Sequence, residues 1–84
     1  MELSNYCKSE RGRQRALAID IGAQMSDMSD WVNDKRPVPV ERCVQIERAT
    51  NGVVTRRDLR PRDWWLIWPE LITDEFPAPQ QEAA

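Results

Sequence analysis

The sequence predicts an all-α fold, a compact bundle of four to five helices formed by one small domain. Apolar residues recur three and four positions apart along most of the first 72 residues, which is the spacing of one helical face. Glycine and proline interrupt this pattern at short intervals, so each helix must be short. A chain of 84 residues has room for one core only, since a domain of this size buries about 60% of the surface of its unfolded chain.

The formal net charge of −2 conceals an uneven distribution. Residues 1–68 carry 12 basic and 10 acidic side chains, whereas residues 69–84 carry four acidic and no basic ones. The body is therefore mildly basic and the C-terminal end acidic. From residue 73 onward the chain contains prolines and few large apolar groups, so we expect a domain over residues 1–72 and a disordered tail over residues 73–84.

The composition argues against several classes of function. The chain contains no His and only two cysteines, Cys7 and Cys43, so it lacks the ligands of a zinc site and the base of a nucleophilic pair. It has no glycine-rich phosphate loop, and we expect neither an enzyme nor a bound cofactor or metal. No apolar run reaches the ~18 residues of a membrane span, and the N-terminus lacks the apolar stretch of a signal peptide. We therefore expect a cytoplasmic protein with buried thiols.

The first two helices follow from the apolar spacing and the glycines. Apolar residues three and four apart predict a helix over residues 2–8. Gly12 is the natural break in the run that follows it, and a second helix extends from about residue 13 to residue 21. Gly22 can adopt the left-handed conformation that ends a helix at little cost, so the second helix ends there.

The third and fourth helices are separated by prolines. Met28, Trp31 and Val32 form the inward face of a third helix over residues 25–33. Pro37 cannot continue it. A fourth helix begins at residue 39 or 40, since proline favours the first helical position, and it ends at the Asn-Gly pair of residues 51–52. Its apolar face consists of Val40, Cys43, Val44 and Ile46.

Two short helical turns complete the predicted fold. Thr55 and Asp58 form an N-cap pattern that favours a turn over residues 56–60. Pro61 stops that turn. Asp63 is expected to cap a last short helix over residues 64–68.

The stretch QRALAIDIGAQMSDMSDWV, residues 14–32, satisfies the requirements of a helix-turn-helix. Ala18 is a small residue where the two helices would touch, and Gly22 lies in the turn. Apolar anchors on both sides fix the second helix at a steep angle to the first. These anchors are Leu17, Ile21, Ala23, Met28 and Trp31.

This stretch resembles the helix-turn-helix of the Cro and phage-repressor family. The continuation RPVPVERCVQIERATNG, and VTRRDLRPRDWWLIWPEL after it, is similar to small Cro-like prophage proteins described as YdaS-type antitoxins. The likeness covers residues 3–71. It implies a lambda-repressor-like DNA-binding domain, dimeric or larger, that controls transcription from phage or toxin–antitoxin promoters.

The resemblance also implies which side chains contact DNA. The second motif helix would project its exposed residues into the major groove, and the expected base-reading residues are Gln24, Met25, Ser26, Ser29, Asp30 and Asn33. Side chains around the motif would hold the DNA backbone. The expected phosphate contacts are Arg13, Gln14, Lys35 and Arg36.

The second motif helix carries Asp27 and Asp30 but no Lys or Arg, although it would face a polyanion. Three explanations are open at this point. Asp30 reads a cytosine amino group, or Asp27 lies near the helix N-terminus, where the dipole favours an anion, and points aside. In the third explanation the surface no longer binds DNA and serves another partner.

The C-terminal third of the domain holds four arginines and three tryptophans whose roles the sequence leaves open. These arginines either form a solvated face, pair with nearby acids such as Glu41, Glu47 and Asp58, or contact DNA from the side. The four are Arg56, Arg57, Arg60 and Arg62.

Trp64 and Trp68 are four residues apart and can pack on the core. Exposed aromatic groups indicate a subunit contact, and the expected homodimer contact consists of Trp65, Trp68 and Leu71. The alternative is that the indoles cover a thin core.

The sequence therefore predicts a sequence-specific DNA-binding transcriptional regulator, a Cro-like repressor or an antitoxin-type regulator. It would bind an operator in double-stranded DNA as a homodimer through the major groove. The alternative is a helix-turn-helix scaffold that binds a protein, such as a toxin or a host factor.

Overall fold

The computed structural model, which describes residues 1–78, consists of short helices joined by tight loops, with no strand in that range. The predicted all-α fold is confirmed, and the predicted bounds of the first four helices agree with the structure to within about two residues. Residues 79–84, the end of the predicted tail, lie outside the described residues. The helices are α1 Leu3–Ser9, α2 Arg13–Ile21, α3 Met25–Val32, α4 Val40–Ala49, α5 Arg56–Leu59 and α6 Trp64–Ile67, followed by a 3-10 turn over Pro69–Leu71.

One hydrophobic core lies between the helices. Helix α2 packs against α1, α3 and α4, helix α1 also contacts α3, and α5 packs on α4. The core residues are Leu3, Cys7, Leu17, Ala18, Ile21, Met28, Trp31, Val32, Val38, Cys43, Ile46, Val54, Trp64 and Trp68.

Both cysteines are free and buried, as predicted. Burial raises the pKa of Cys7 and raises the pKa of Cys43 to about 11, so neither forms a reactive thiolate near neutral pH.

Two sequence-based expectations about the helices are wrong. Val40 is exposed and does not belong to the apolar face of α4, because it is the first residue of the helix and lies beyond the edge of the core. Asp63 precedes α6 but makes no side-chain cap. Its carboxylate accepts two hydrogen bonds from Arg60 instead, at 3.1 and 2.7 Å. The capping box of Thr55 and Asp58 at the start of α5 is confirmed.

Helices α2, α3 and α4 all end in the same way. A residue with positive φ follows the helix, and the next backbone N–H donates to the carbonyl five residues earlier, as in a Schellman motif. These residues are Gly22 (71°), Asp34 (60°) and Asn51 (54°), and after α4 the next residue, Gly52 (81°), also has positive φ. The closing bonds are Ala23 to Ala18 at 2.9 Å, Lys35 to Asp30 at 2.8 Å and Gly52 to Glu47 at 2.8 Å.

Two side chains fix the loops that follow these helices. The buried Thr50 hydroxyl donates to the Ile46 carbonyl at 2.9 Å and accepts from the Val54 N–H at 3.1 Å. Arg60 donates to the Val38 carbonyl at 3.0 Å while it also binds Asp63. Arg60 therefore joins the loop between α5 and α6 to the loop between α3 and α4.

Asp34 is the position at which the fold carries a conformational cost that glycine would remove. Its φ of 60° disfavours a residue with a Cβ, and its carboxylate lies at the C-terminus of α3, where the helix dipole disfavours negative charge. We expect Asp34→Gly to stabilise the domain by about 1 kcal/mol and to raise Tm by roughly 4–8 °C, measured by thermal unfolding. Asn51→Gly is the matched control and should give a smaller gain, because Asn tolerates this conformation better than most residues. A lower Tm for Asp34→Gly would contradict the prediction.

Acid unfolding should depend on Asp63. Its hydrogen bonds from Arg60 lower the pKa of this carboxyl. A lowered folded-state pKa gives stability that is complete above the unfolded-state value of about 3.9 and is lost as the pH falls through the folded-state pKa. We therefore expect Asp63→Asn to be less stable than the parent at pH 7, with the difference shrinking between pH 5 and pH 2. Urea unfolding at several pH values measures this, and a constant difference would contradict it.

Candidate functional site

The turn between α2 and α3 has the geometry that the sequence predicts for a helix-turn-helix. Ala18, the small residue expected where the two helices touch, is 1% exposed. Helix α2 packs against α3, and Gly22 adopts the left-handed conformation in the turn. Arg42 of α4 donates to the Ile21 carbonyl at 2.6 Å and so satisfies an acceptor at the end of α2. Helix α2 is thus held against α4, and α3 packs on α2 and α1.

Helix α3 presents a polar face to solvent opposite its buried residues. Ser26, Ser29 and Asn33 are three and four positions apart on this face, and we call them the polar strip. The Asn33 side-chain amide donates to the Ser29 hydroxyl at 3.3 Å. The N-terminal end of α3 adds Gln24 and Met25, both exposed.

Arg36 compensates part of the negative charge of α3. Sequence reasoning missed this ion pairing. Its guanidinium donates to Asp27 at 2.6 Å and to Asp30 at 3.0 Å, and the chain turn at the end of α3 brings it back beside both carboxylates. These contacts, first the hydrogen bond to Asp27, raise the pKa of Arg36. The sequence did contain a signal, since two acids three residues apart on one face were followed by a base just beyond the helix end.

The expected phosphate-binding residues differ in how free they are. Arg13 pairs with Glu10 at 3.1 Å and lies over the Tyr6 ring at 4.7 Å. Arg36 is paired as described, and Gln14 is half-buried. Lys35 is exposed, and within residues 1–78 it forms no ion pair. Of the three cations in the expected set, Lys35 alone points freely to solvent in the described part of the chain.

The arginines of the C-terminal third take several roles. Arg56 pairs with Glu47 at 2.9 Å, one of the pairings the sequence analysis considered. Arg57 lies over the Phe76 ring at 3.7 Å, and Phe76 is held in a tight turn by hydrogen bonds to Thr73. Arg62 is exposed.

The three expected dimer residues are buried or half-buried. Trp68 is only 7% exposed, because it packs on the core beneath Arg56, and it offers little surface to a second subunit. Trp65 is half-buried and packs edge-on against Trp64, and Leu71 is partly buried. Leu66 is 70% exposed, and sequence reasoning missed it because the neighbouring tryptophans dominate the pattern. A subunit contact at this end stays a prediction.

Residues 1–78 lack two features that would indicate other functions. No group of three His, Cys, Asp or Glu side chains in that part of the chain is arranged to hold a metal ion. None of its helices combines the length and apolar character needed to cross a membrane.

Comparison with known proteins places the site in a family. The model of a family described as "Bacterial toxin YdaS" matches residues 3–67, which extend from the start of α1 to the end of α6. A curated relative from Escherichia coli (strain K12), named "Putative transcriptional regulator YdaS", is 43% identical over 54 residues. That alignment covers 63% of this chain and 55% of the relative, so the chain matches about half of the relative's length. Since the family model covers well over half of the chain, including the helix-turn-helix, the protein belongs to the YdaS family.

Proposed function

We propose that this protein is a transcriptional regulator that binds a specific operator in double-stranded DNA by inserting α3 into the major groove. The observation that carries the proposal is the exposed polar strip on α3, flanked by two carboxylates that share one arginine. The name of the 43% identical relative also supports a regulatory role. Such a regulator would act in the cytoplasm.

The polar strip carries suitable chemistry for base recognition. An Asn side chain can bind adenine through two hydrogen bonds, and Ser can donate or accept. The Asn33 amide nitrogen uses one hydrogen on Ser29, which leaves its second hydrogen and its carbonyl oxygen for a base. The exposed Met25 could contact a thymine methyl group. Gln24 and Ser26 complete the proposed reading surface, together with Asp30 if it accepts from cytosine.

Charge compensation makes such a helix compatible with DNA. Two carboxylates beside phosphate groups oppose binding, and Arg36 reduces their combined charge from −2 to −1. We propose that Arg36 acts first by holding these carboxylates, with phosphate contact left to Lys35 and other exposed side chains. This role for Arg36 is a fourth explanation, beside the three that the sequence left open.

We further propose that the protein binds as a homodimer, since regulators of this kind read two half-sites about one helical turn apart. The exposed Leu66, with Trp65 and Leu71 beside it in the chain, is the apolar surface at the C-terminal end that such a contact would use. The competing function is binding of a protein partner through acidic α3. The description of the family as a toxin makes that second function worth measuring beside the first.

Selection of bound duplexes from a random library tests the proposed function. We expect enrichment of a near-palindromic site, and we expect Asn33→Ala to weaken binding to it by about 5- to 150-fold, the effect of losing a two-bond contact to one base. Asn5→Ala, which removes an exposed Asn from α1, is the matched control and should bind as the parent does. No enrichment, even at low salt, would contradict the proposal and favour a protein partner.

A double-mutant cycle tests the role proposed for Arg36. We expect Arg36→Ala to weaken operator binding by about 10-fold, or roughly 1.4 kcal/mol, because it exposes both carboxylates to the phosphates. In an Asp27→Asn, Asp30→Asn background, the same change should cost little affinity. Lys35→Ala serves as the comparison, since loss of a direct phosphate contact should weaken binding equally in both backgrounds. An equal loss for Arg36→Ala in both backgrounds would show that Arg36 binds phosphate directly.

A further inference from the structure

A groove lies beyond the C-terminal end of α3, where two loops that are distant in sequence meet. The groove has a volume of about 440 Å³ and lies between the loop that follows α3 and the loop between α5 and α6. Its charged lining residues are Asp34, Lys35, Arg36, Arg60, Arg62 and Asp63. The lining thus holds four basic and two acidic side chains.

The ion pairs of the groove show which of its charges are available to a ligand. Arg60 is bound to Asp63 at 2.7 Å, and Arg36 is bound to the two carboxylates of α3. Lys35 and Arg62 are exposed and form no ion pair within residues 1–78. Asp34 is the carboxylate of the lining that has no such pair in the described part of the chain. Among the lining residues, Lys35 and Arg62 are therefore the cations available to a ligand, and Asp34 is the one carboxylate that would oppose an anion.

The position of Arg62 is set by tertiary structure. Arg60 donates to the Val38 carbonyl at 3.0 Å, across 22 residues of sequence, and its bonds to Asp63 close the short loop that contains Arg62. Pro61 restricts the backbone of the same loop. This bracing holds Arg62 on the groove. Lys35, two residues after Asn33 of the polar strip, lines the same groove.

We infer that Lys35 and Arg62 form one phosphate-binding groove, which holds the sugar-phosphate backbone of the DNA whose bases α3 reads. The inference rests on the proposed function and extends the DNA contact to a loop 30 residues beyond α3. Arg60 is a positioning residue in this arrangement, because it braces the loop without being free to bind phosphate. Asp34 opposes the ligand and limits its affinity.

The salt dependence of duplex binding tests the groove. We expect Arg62→Ala to reduce the slope of log K against log salt by about 1. Affinity for the selected site and for an unrelated duplex should fall by the same factor, with the base preference retained. Raising the salt concentration from 50 to 200 mM should therefore weaken the binding of Arg62→Ala about 3.5-fold less than it weakens the binding of the parent. Arg62→Lys keeps the charge and should retain most of the parent slope.

Matched variants separate this inference from general charge effects. Arg48→Ala removes an exposed arginine of α4 that lines a different cavity, with Asp20 and Gln45, and should leave the slope unchanged. Asp34→Asn removes the opposing carboxylate and should increase affinity for both duplexes. Circular dichroism should show that Arg62→Ala remains folded, since its side chain is exposed.

The outcomes distinguish the groove from the proposed function. If the parent selects a DNA site and Arg62→Ala keeps the parent's slope and affinity, the groove proposal is wrong and the proposed function stands. The groove proposal is also wrong if Arg48→Ala and Arg62→Ala have equal effects, because the loss then reflects net charge alone. If the parent binds no duplex at any salt concentration, both proposals fail.

Discussion

The structure depends on the crossing of α2 and α3 and on the burial of Ala18 within α2. A larger side chain at this position would separate the helices and open the core around Met28, which is completely buried. The left-handed turn at Gly22 makes the crossing possible, because it reverses the chain within three residues while keeping the last carbonyls of α2 bonded. Arg42 adds a bond to the Ile21 carbonyl and ties α4 to the same point. This crossing therefore determines which side chains of α3 are exposed to solvent.

The helix ends also explain the electrostatics of the surface. The turn after α3 passes through Asp34 and brings Arg36 back along the helix, beside the carboxylates of Asp27 and Asp30. Arg36, which lies outside α3, thus neutralises part of the negative charge of this helix. Exposed ion pairs of this kind contribute little to stability, so their main consequence lies in the potential that a charged partner meets.

The C-terminal third of the chain supports the motif at a distance. Arg60 braces two loops through Val38 and Asp63, and Trp64 and Trp68 close the core beneath Arg57 and Arg56. The second half of the family-matched region is therefore part of the same folding unit as the helix-turn-helix. It also places Arg62 in one groove with the loop that follows α3.

The sequence by itself determined the helices, because their lengths depend on local features: apolar residues three and four apart, and glycine, proline or a capping residue at the ends. It also determined which residues of α3 are buried, since helical periodicity leaves Ser26, Ser29 and Asn33 on the opposite face. Tertiary structure alone decided the partners of long side chains. Arg36, Arg42 and Arg60 each bind a group 6 to 22 residues away in sequence, and a flexible arginine carries no local pattern that selects one acceptor over another. Tertiary structure also decided that Leu66 is exposed, because a side chain of a four-residue helix reaches the core only through the direction in which that helix packs.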